Sequence, residues 1–491
     1  MLQTRFFIST ILVNNHNAMP MLFLSFIIKL SFNMEETMKK TVLLSVIAST
    51  MVMAGGDITP VEPVVAEAEK DWGEVFGQSR TFYIDRTYSG SLVNNRNSLA
   101  TGGYIGYKSP NFNGFTAVVA AYGTYGFDIH SEDADVIGSA SYDPSLYGDA
   151  FDNYAFIGQA YVNYAFGNTN IQAGRVRLDT PMAGADDARM LPNLFEAAVL
   201  SNKDVENTTL IAAHVFRETT GTFSNVYGAP SALSLQSGYG LGYKEGTSGS
   251  FANMGTIALG YNDINGDGSI DNETAGVTAL AAIYTGIEGL KLQAWDYIAW
   301  DILNAVYLQA DYGWNCLLSD SVKMKASAQY INESDIGDAF AASVDSNYFA
   351  AKLGASFDGL SGYAAYSVTS DSDAAMNGGI ITPWGGMPAF TQGMVTRHMF
   401  FADTDTWKAA ATYKFEDLGL KATAYYVEFD IGQANTYKPG QAWTASESGF
   451  DIQYDVAAVK GLNLRLRANY PRDFAPGLDW DEYRLIANYS F

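Results

Sequence analysis

The sequence predicts an all-β protein: a transmembrane antiparallel β-barrel of about 18 strands. Three observations predict the barrel. An export signal precedes the main body, that body alternates apolar and polar residues at period two, and its connections alternate between short and long. Composition agrees. Of 491 residues, 48% are hydrophobic, 14% aromatic and only 17% charged, which is too apolar for a disordered chain. Lys+Arg number 29 against 53 Asp+Glu, a formal charge of −24, so no nucleic-acid partner is expected. A single cysteine, Cys316, excludes an internal disulfide framework. Four histidines argue against a His-rich metal centre.

Met38-Lys39-Lys40, the apolar run Thr41–Met53 and the small residues Val52 and Ala54 make a secretory signal peptide over 38–54. The run is short for a membrane anchor. Residues 1–37 lie upstream of a complete signal and read as a mis-assigned N-terminal extension, with Met38 the expected start. Cleavage after Ala54 leaves 25 basic residues (29 less four) and 51 acidic ones (53 less two), a net charge of −26. Residues 55–74, acidic with Pro60 and Pro63, read as an extended periplasmic tail. The barrel is expected over 75–491.

No apolar stretch near 18 residues occurs after residue 54, so no membrane-spanning helix is expected. Segments of about ten residues alternate instead. In the last, Tyr483, Leu485, Ala487, Tyr489 and Phe491 share one face, and Glu482, Arg484, Ile486, Asn488 and Ser490 the other. Leu462, Leu464, Leu466, Ala468 and Tyr470 oppose Asn463, Arg465, Arg467 and Asn469. The same pattern places Lys323, Lys325, Lys352, Lys408 and Lys421 on the polar face. Each apolar face is bounded by aromatics or Leu, with alanines between, as expected of a lipid-facing band between interfacial girdles. A soluble sandwich needs no such girdle. Backbone groups in lipid need partners, so the strands must close on themselves.

Short connections include Ser109–Gly114, Gly167–Thr169, Gly286–Gly289, Asp358–Gly359, Glu416–Asp417 and Val459–Gly461. Long ones are expected at 127–152, 179–193, 218–236, 370–404 and 430–446. Strand counts of 18 to 20 fit, with Leu194–Ser201 the ambiguous segment, and 18 is adopted. That size leaves a lumen too wide for side chains to fill, hence a water-filled channel.

A final aromatic, Phe491, on an alternating last strand resembles the signal read by barrel-assembly machinery. Gly174-Arg175-Val176-Arg177-Leu178-Asp179-Thr180-Pro181, followed by Asp186-Asp187-Ala188-Arg189-Met190-Leu191-Pro192-Asn193-Leu194-Phe195-Glu196-Ala197, resembles the OprD-type outer-membrane porin family. Ala197 stands where the family pattern ends in Gly. The opening Gly55–Pro63 is similar to major porins of Gram-negative bacteria. The resemblance implies an 18-stranded barrel narrowed by its third long loop. It implies passive uptake of small polar solutes, often carboxylates or amino acids, and permits monomers or a homotrimer. Outer-membrane lipid and lipopolysaccharide are then the expected surroundings.

Lumen charge and width set selectivity in a barrel. Arg465, Arg467 and Arg484 fall on the wet face of the last two strands, where guanidinium groups could guide carboxylates. Lys352 and Lys408 extend this basic ladder, while Lys323, Lys325, Lys414 and Lys421 also read as a periplasmic rim. The acidic excess is expected in loops and turns, as in 127–152 with Asp128, Asp143 and Asp152. In the constriction loop, Asp179, Asp186, Asp187 and Arg189 are expected to oppose the ladder across the pore, to pin the loop to the wall, or both, since the two roles are compatible.

Asp263, Asn265, Asp267, Ser269 and Asp271, with Gly268, match the opening of a calcium loop. The match departs at its end, where Thr274 replaces the bidentate Glu. The loop 263–274 thus reads either as a calcium site or as a solvated acidic turn, and no other cofactor is required. No catalytic residues are assigned. The alternatives are an outer-membrane barrel enzyme of lipase or protease type, with His214 its candidate base, and a structural surface adhesin. His214 is expected as a packed or lumen-lining imidazole.

Overall fold

The computed structural model describes residues 72–89, 94–129, 141–148, 151–223, 248–375 and 377–491. The expected extension, signal peptide and most of the acidic tail lie outside the described residues. Nineteen β elements run in one antiparallel sheet. They are β1 Glu74–Tyr88, β2 Arg96–Lys108, β3 Phe115–Phe127, β4 Tyr154–Phe166, β5 Thr169–Val176, β6 Leu194–Asn202, β7 Thr208–Thr219, β8 Ala252–Asn253, β9 Val277–Ile287 and β10 Leu290–Ala299. There follow β11 Leu303–Cys316, β12 Ser319–Asp335, β13 Asp345–Phe357, β14 Leu360–Thr369, β15 Thr404–Phe415, β16 Leu420–Ile431, β17 Trp443–Asp455, β18 Leu462–Arg472 and β19 Trp480–Ser490. β8 is a two-residue stub against β7. The other eighteen form the wall, and β7 pairs directly with β9.

Closure comes from β1 and β19, which pair from Gln78↔Ser490 to Tyr88↔Trp480. Beyond that ladder, Gly77 and Phe491 exchange backbone hydrogen bonds of 3.0 and 3.1 Å. The sheet therefore has no open edge, and every wall strand has partners on both sides. Leu194–Asn202, ambiguous in sequence, is a wall strand because its ladder to β7 absorbs a bulge between Glu196 and Ala197.

Parity sorts the side chains as the alternation requires. Phe349, Leu353 and Phe357 are about half exposed on the outer surface, as are Trp407, Tyr413 and Phe415. Their neighbours Tyr348, Ala350 and Lys408 face inward and are buried. His214 is packed, against Phe216, but not lumen-lining, which corrects that half of the expectation. Ala213 and Val215 are buried inside the wall, so His214 between them faces outward, where its Nδ1 lies 2.9 Å from Thr278 Oγ1. The apolar run Thr209–Phe216 could not reveal this, since both its faces are apolar.

The long connections lie at one end of the barrel. L2 is 128–153, L3 177–193, L4 220–276, L7 370–403, L8 432–442 and L9 473–479. L4 is longer than expected: its described part holds β8, the calcium-like segment and the short helix α1, Met254–Leu259. The described parts of L2, L3, L4 and L7 fold into the lumen. Leu146 and Tyr147 of L2 and Met190 and Leu191 of L3 pack on Phe82, Ile84, Ala120 and Tyr122 of the wall. Met182 and Ala183 of L3, Ile257 of α1, and Trp384 and Phe390 of L7 pack on Trp295, Tyr297 and Tyr348. Burial of this apolar surface is what draws the loops inward. The acidic excess is therefore not confined to solvated loops: Asp143, Glu333, Glu447, Asp451 and Glu482 are all buried inside the barrel.

L7 also leans on L9. His398 Nε2 lies 2.7 Å from the Phe474 carbonyl, and Phe401, Phe429, Tyr437, Trp443 and Phe474 surround the ring. Burial pushes its imidazole down to about 3, and the Phe474 hydrogen bond opposes only part of that shift. A basic group depressed in this way stabilises the fold above its ordinary range near 6.5. That contribution is lost as pH falls from about 6.5 toward about 3. Limited proteolysis of 370–403 should therefore accelerate between pH 7 and pH 4, and His398→Gln should flatten that dependence.

Candidate functional site: the pore constriction

L3 begins with charge. Arg177 Nε lies 3.4 Å from Asp179 and its Nη1 3.5 Å from Asp187. Asp179 accepts the Ala185 N–H at 3.2 Å, and Thr180 Oγ1 donates to the Ala183 carbonyl at 2.6 Å, closing a tight turn. Asp187 then accepts from both terminal guanidinium nitrogens of Arg80 on β1, at 2.6 and 3.2 Å. Burial pushes the Asp187 carboxyl up, but Arg80 and Arg177 outweigh it and hold it below the ordinary carboxylate range. Asp186, at φ 36°, turns the other way. It forms a two-bond pair of 3.0 and 3.1 Å with Arg397 of L7.

The loops are locked by backbone as well. The Gly184 N–H donates to the Trp384 carbonyl at 2.9 Å. Trp384 Nε1 donates to the Met254 carbonyl at the start of α1, at 3.0 Å. Gly385 sits at φ 78°, and a Cβ there would come within 2.3 Å of the Gly184 carbonyl oxygen. Only glycine permits that approach.

Arg189 does not face the opening. It is 1% exposed, donates to Ser145 Oγ of L2 at 3.0 Å, and lies 3.6 Å from Glu482 of β19. Burial and the neighbouring charge of Arg484 push its guanidinium down to about 9. Glu482 also holds Arg86, at 2.6 Å, and Arg484, and Arg86 reaches Asp143 at 3.1 Å. This buried network fastens L2 and L3 to the seam between β1 and β19. Arg484 belongs to it, fully buried.

Arg465 and Arg467 do reach the opening. Both draw on Asp451 of β17: Arg465 Nε donates to it at 2.8 Å, and Arg467 Nε stands 3.6 Å away. Lys408 Nζ donates to the Gln392 carbonyl of L7 at 2.6 Å. Lys352 Nζ lies 4.1 Å over the Phe390 ring. One cavity results, lined by Arg177, Arg397, Lys408, Arg465 and Arg467 with Asp179, Asp186 and Asp187. Sequence reading missed Arg80, Arg397, Asp451 and Glu447. Arg80 was within reach, because it shares the inward parity of Phe82 and Ile84. Arg397 was not, because only the fold of L7 brings it to Asp186.

Two assigned segments lie apart from the constriction. Asp263, Asn265, Asp267, Ser269 and Asp271 form an exposed stretch of L4 whose side chains cap their own backbone. Asp267 Oδ1 accepts the Ser269 N–H at 2.7 Å and Asp263 Oδ1 the Gly268 N–H at 3.4 Å. Among the described residues, no group of three or more His, Cys, Asp or Glu side chains converges as a metal site. Phe491 lies at the opposite, short-turn end, its side chain half exposed.

A sequence profile described as outer membrane porin, OprD family, matches residues 73–491. The chain belongs to the OprD family. It is an outer-membrane porin that passes small solutes. The crystal structure of Pseudomonas aeruginosa OpdK with vanillate superimposes with a TM-score of 0.66 at 16% identity, covering 85% of this chain and 98% of that one. P. aeruginosa OccK9 (OpdG) gives 0.65 at 19%, covering 85% and 98%. Acinetobacter baumannii OccAB3 gives 0.65 at 16%, covering 85% and 99%. At such identities these structures show a shared fold. No curated protein matches the chain.

In this OprD-family porin, Glu447 of β17 holds the tip of L7. Its carboxylate accepts the N–H groups of Met394 at 2.6 Å, Val395 at 3.2 Å and Thr396 at 2.6 Å, and the Tyr425 hydroxyl. Each hydrogen bond to a charged group contributes about 1.5–3 kcal/mol. Glu447→Ala should release the tip, giving noisier and larger single-channel currents in planar bilayers, with the barrel itself intact by heat-modifiable gel migration.

Proposed function

We propose that this porin favours small carboxylates or amino acids over cations of similar size. Five basic side chains line one cavity with three acidic ones, and that observation carries the reading. The three acids are already paired: Asp186 with Arg397 and Asp179 with Arg177 inside the lining itself, and Asp187 with Arg80 behind it, which leaves Lys408, Arg465 and Arg467 to set the sign. Arg465 and Arg467 share the one carboxylate of Asp451, so the wall keeps an excess of guanidinium donors. Such donors match a carboxylate in both charge and planar geometry. The surrounding low dielectric strengthens the attraction.

In this reading the ladder is Arg465, Arg467 and Lys408, joined by Arg177 and Arg397. Arg484 and Arg189 stand behind it as structural supports. Transport is passive diffusion with no catalytic step. Phe491 serves as the mark for the assembly machinery, at the end of the strand that closes the barrel.

Reversal potentials in a salt gradient test the proposal. Arg465→Ala/Arg467→Ala should lower the anion-to-cation permeability ratio several-fold while the channel still opens. An unchanged ratio would refute the ladder. Turnover of lipid or peptide by the purified protein would contradict the passive reading.

A further inference from the structure

The outer surface carries its own charge pattern at the long-loop end. Along most of the rim, outward-facing charged positions are acidic: Asp85, Asp296, Asp405, Glu428 and Asp430. On β5–β7 the sign reverses. Arg175, Glu196 and Arg217 are direct cross-strand neighbours there. Arg175 shares the outward face of Ala160, to which it is paired. Their side chains are 38%, 26% and 52% exposed. Arg175 Nε lies 3.0 Å from Glu196, while Arg217 Nε is 4.0 Å away. One carboxylate thus stands between two guanidinium groups, and the patch keeps a net positive charge.

The wall is low at this place. β5 has 8 residues and β6 has 9, against 17 for β12. At 3.3 Å per residue and a tilt near 45°, eight residues rise about 19 Å, short of the ~25 Å apolar band of an outer-membrane barrel. Ile171, Leu200 and Leu210 form the apolar surface below the arginines. Phe216 beside them and Trp300 on the same rim are 48% and 42% exposed, as interfacial aromatics are. Headgroups of the outer leaflet must descend here to cover the shortened wall, and they meet two arginines instead of carboxylates.

We propose that Arg175 and Arg217 form a docking site for a phosphorylated lipid headgroup of the outer leaflet. Arg175 is held in place by Glu196, the Ile157 carbonyl at 3.1 Å and the Phe251 ring at 4.4 Å, and presents its Nη2 edge; that edge and the more exposed Arg217 fork hold the phosphate, and the apolar band below receives the acyl chains. The site lies outside the barrel and is independent of which solute the pore selects.

Native mass spectrometry of the full-length, detergent-extracted porin tests this, with bisphosphorylated lipid A, its dephosphorylated form and inorganic phosphate as probes. Wild type should retain the bisphosphorylated lipid. Arg175→Gln/Arg217→Gln should weaken retention by at least about tenfold. Arg175→Lys/Arg217→Lys should restore much of it, and Arg472→Gln, at a rim arginine paired with Asp481, should change nothing. Single-channel conductance should be unaltered throughout, because these side chains face away from the pore. Equal retention by wild type and the double Gln variant overturns the proposal, as does equal binding of the dephosphorylated lipid. Binding of inorganic phosphate with lipid A ignored would show a free-anion site and overturn it too. Loss of an oligomer in the double variant with lipid binding intact would assign the patch to a second copy of the chain. Should the double variant fail to assemble, Arg217→Glu alone, at the more exposed and more loosely paired position, carries the same comparison.

Discussion

A backbone amide in hydrocarbon has no water to turn to, and the whole architecture follows from that constraint. The β1–β19 ladder satisfies it by joining the two ends of the sheet. Once the ring is closed and antiparallel throughout, each residue's parity decides which solvent it meets. Tyr348 and Phe349 are adjacent in sequence, yet one is buried and the other half exposed toward lipid. A one-residue slip in any ladder would invert such assignments along the strand.

Closure solves the wall and creates a second problem, a lumen too wide to be selective. Loops solve it. L3 and L7 meet through the Asp186–Arg397 pair and the Gly184–Trp384 hydrogen bond, and α1 of L4 braces Trp384 from behind. Apolar burial supplies the attraction, and buried ion pairs supply the register. Glu482 with Arg86, Arg189 and Arg484 illustrates the second role. Desolvating these charges costs much of what their attraction returns. What they secure is one position for L2 and L3 against the seam.

Charge is partitioned with the same economy. The chain carries a formal −24, yet the cavity between L3, L7 and the wall is lined by five basic and three acidic side chains. The acids at the rim face outward, and of those inside Asp143, Asp186, Asp187, Asp451 and Glu482 are paired with arginine while Glu447 is held by backbone N–H groups. Net charge therefore says nothing about what the pore prefers. The placement of Asp451 between Arg465 and Arg467 says more.

Period-two alternation was enough to establish the barrel, a strand count between 18 and 20 and the inward parity of Arg465, Arg467, Lys352 and Lys408, because lipid and water read opposite faces of every strand. The segment from Gly174 to Ala197 was enough to suggest the family and its inward loop. Alternation is silent where both faces are apolar, which is why the side of the wall that His214 takes was not legible, and where a loop has no period at all. Arg397 reaching Asp186, the burial of Arg189 and Arg484, and the inward fold of L7 depend on contacts between segments hundreds of residues apart. Local residue types determine a strand's two faces. Only the closed ring determines which loops meet inside it.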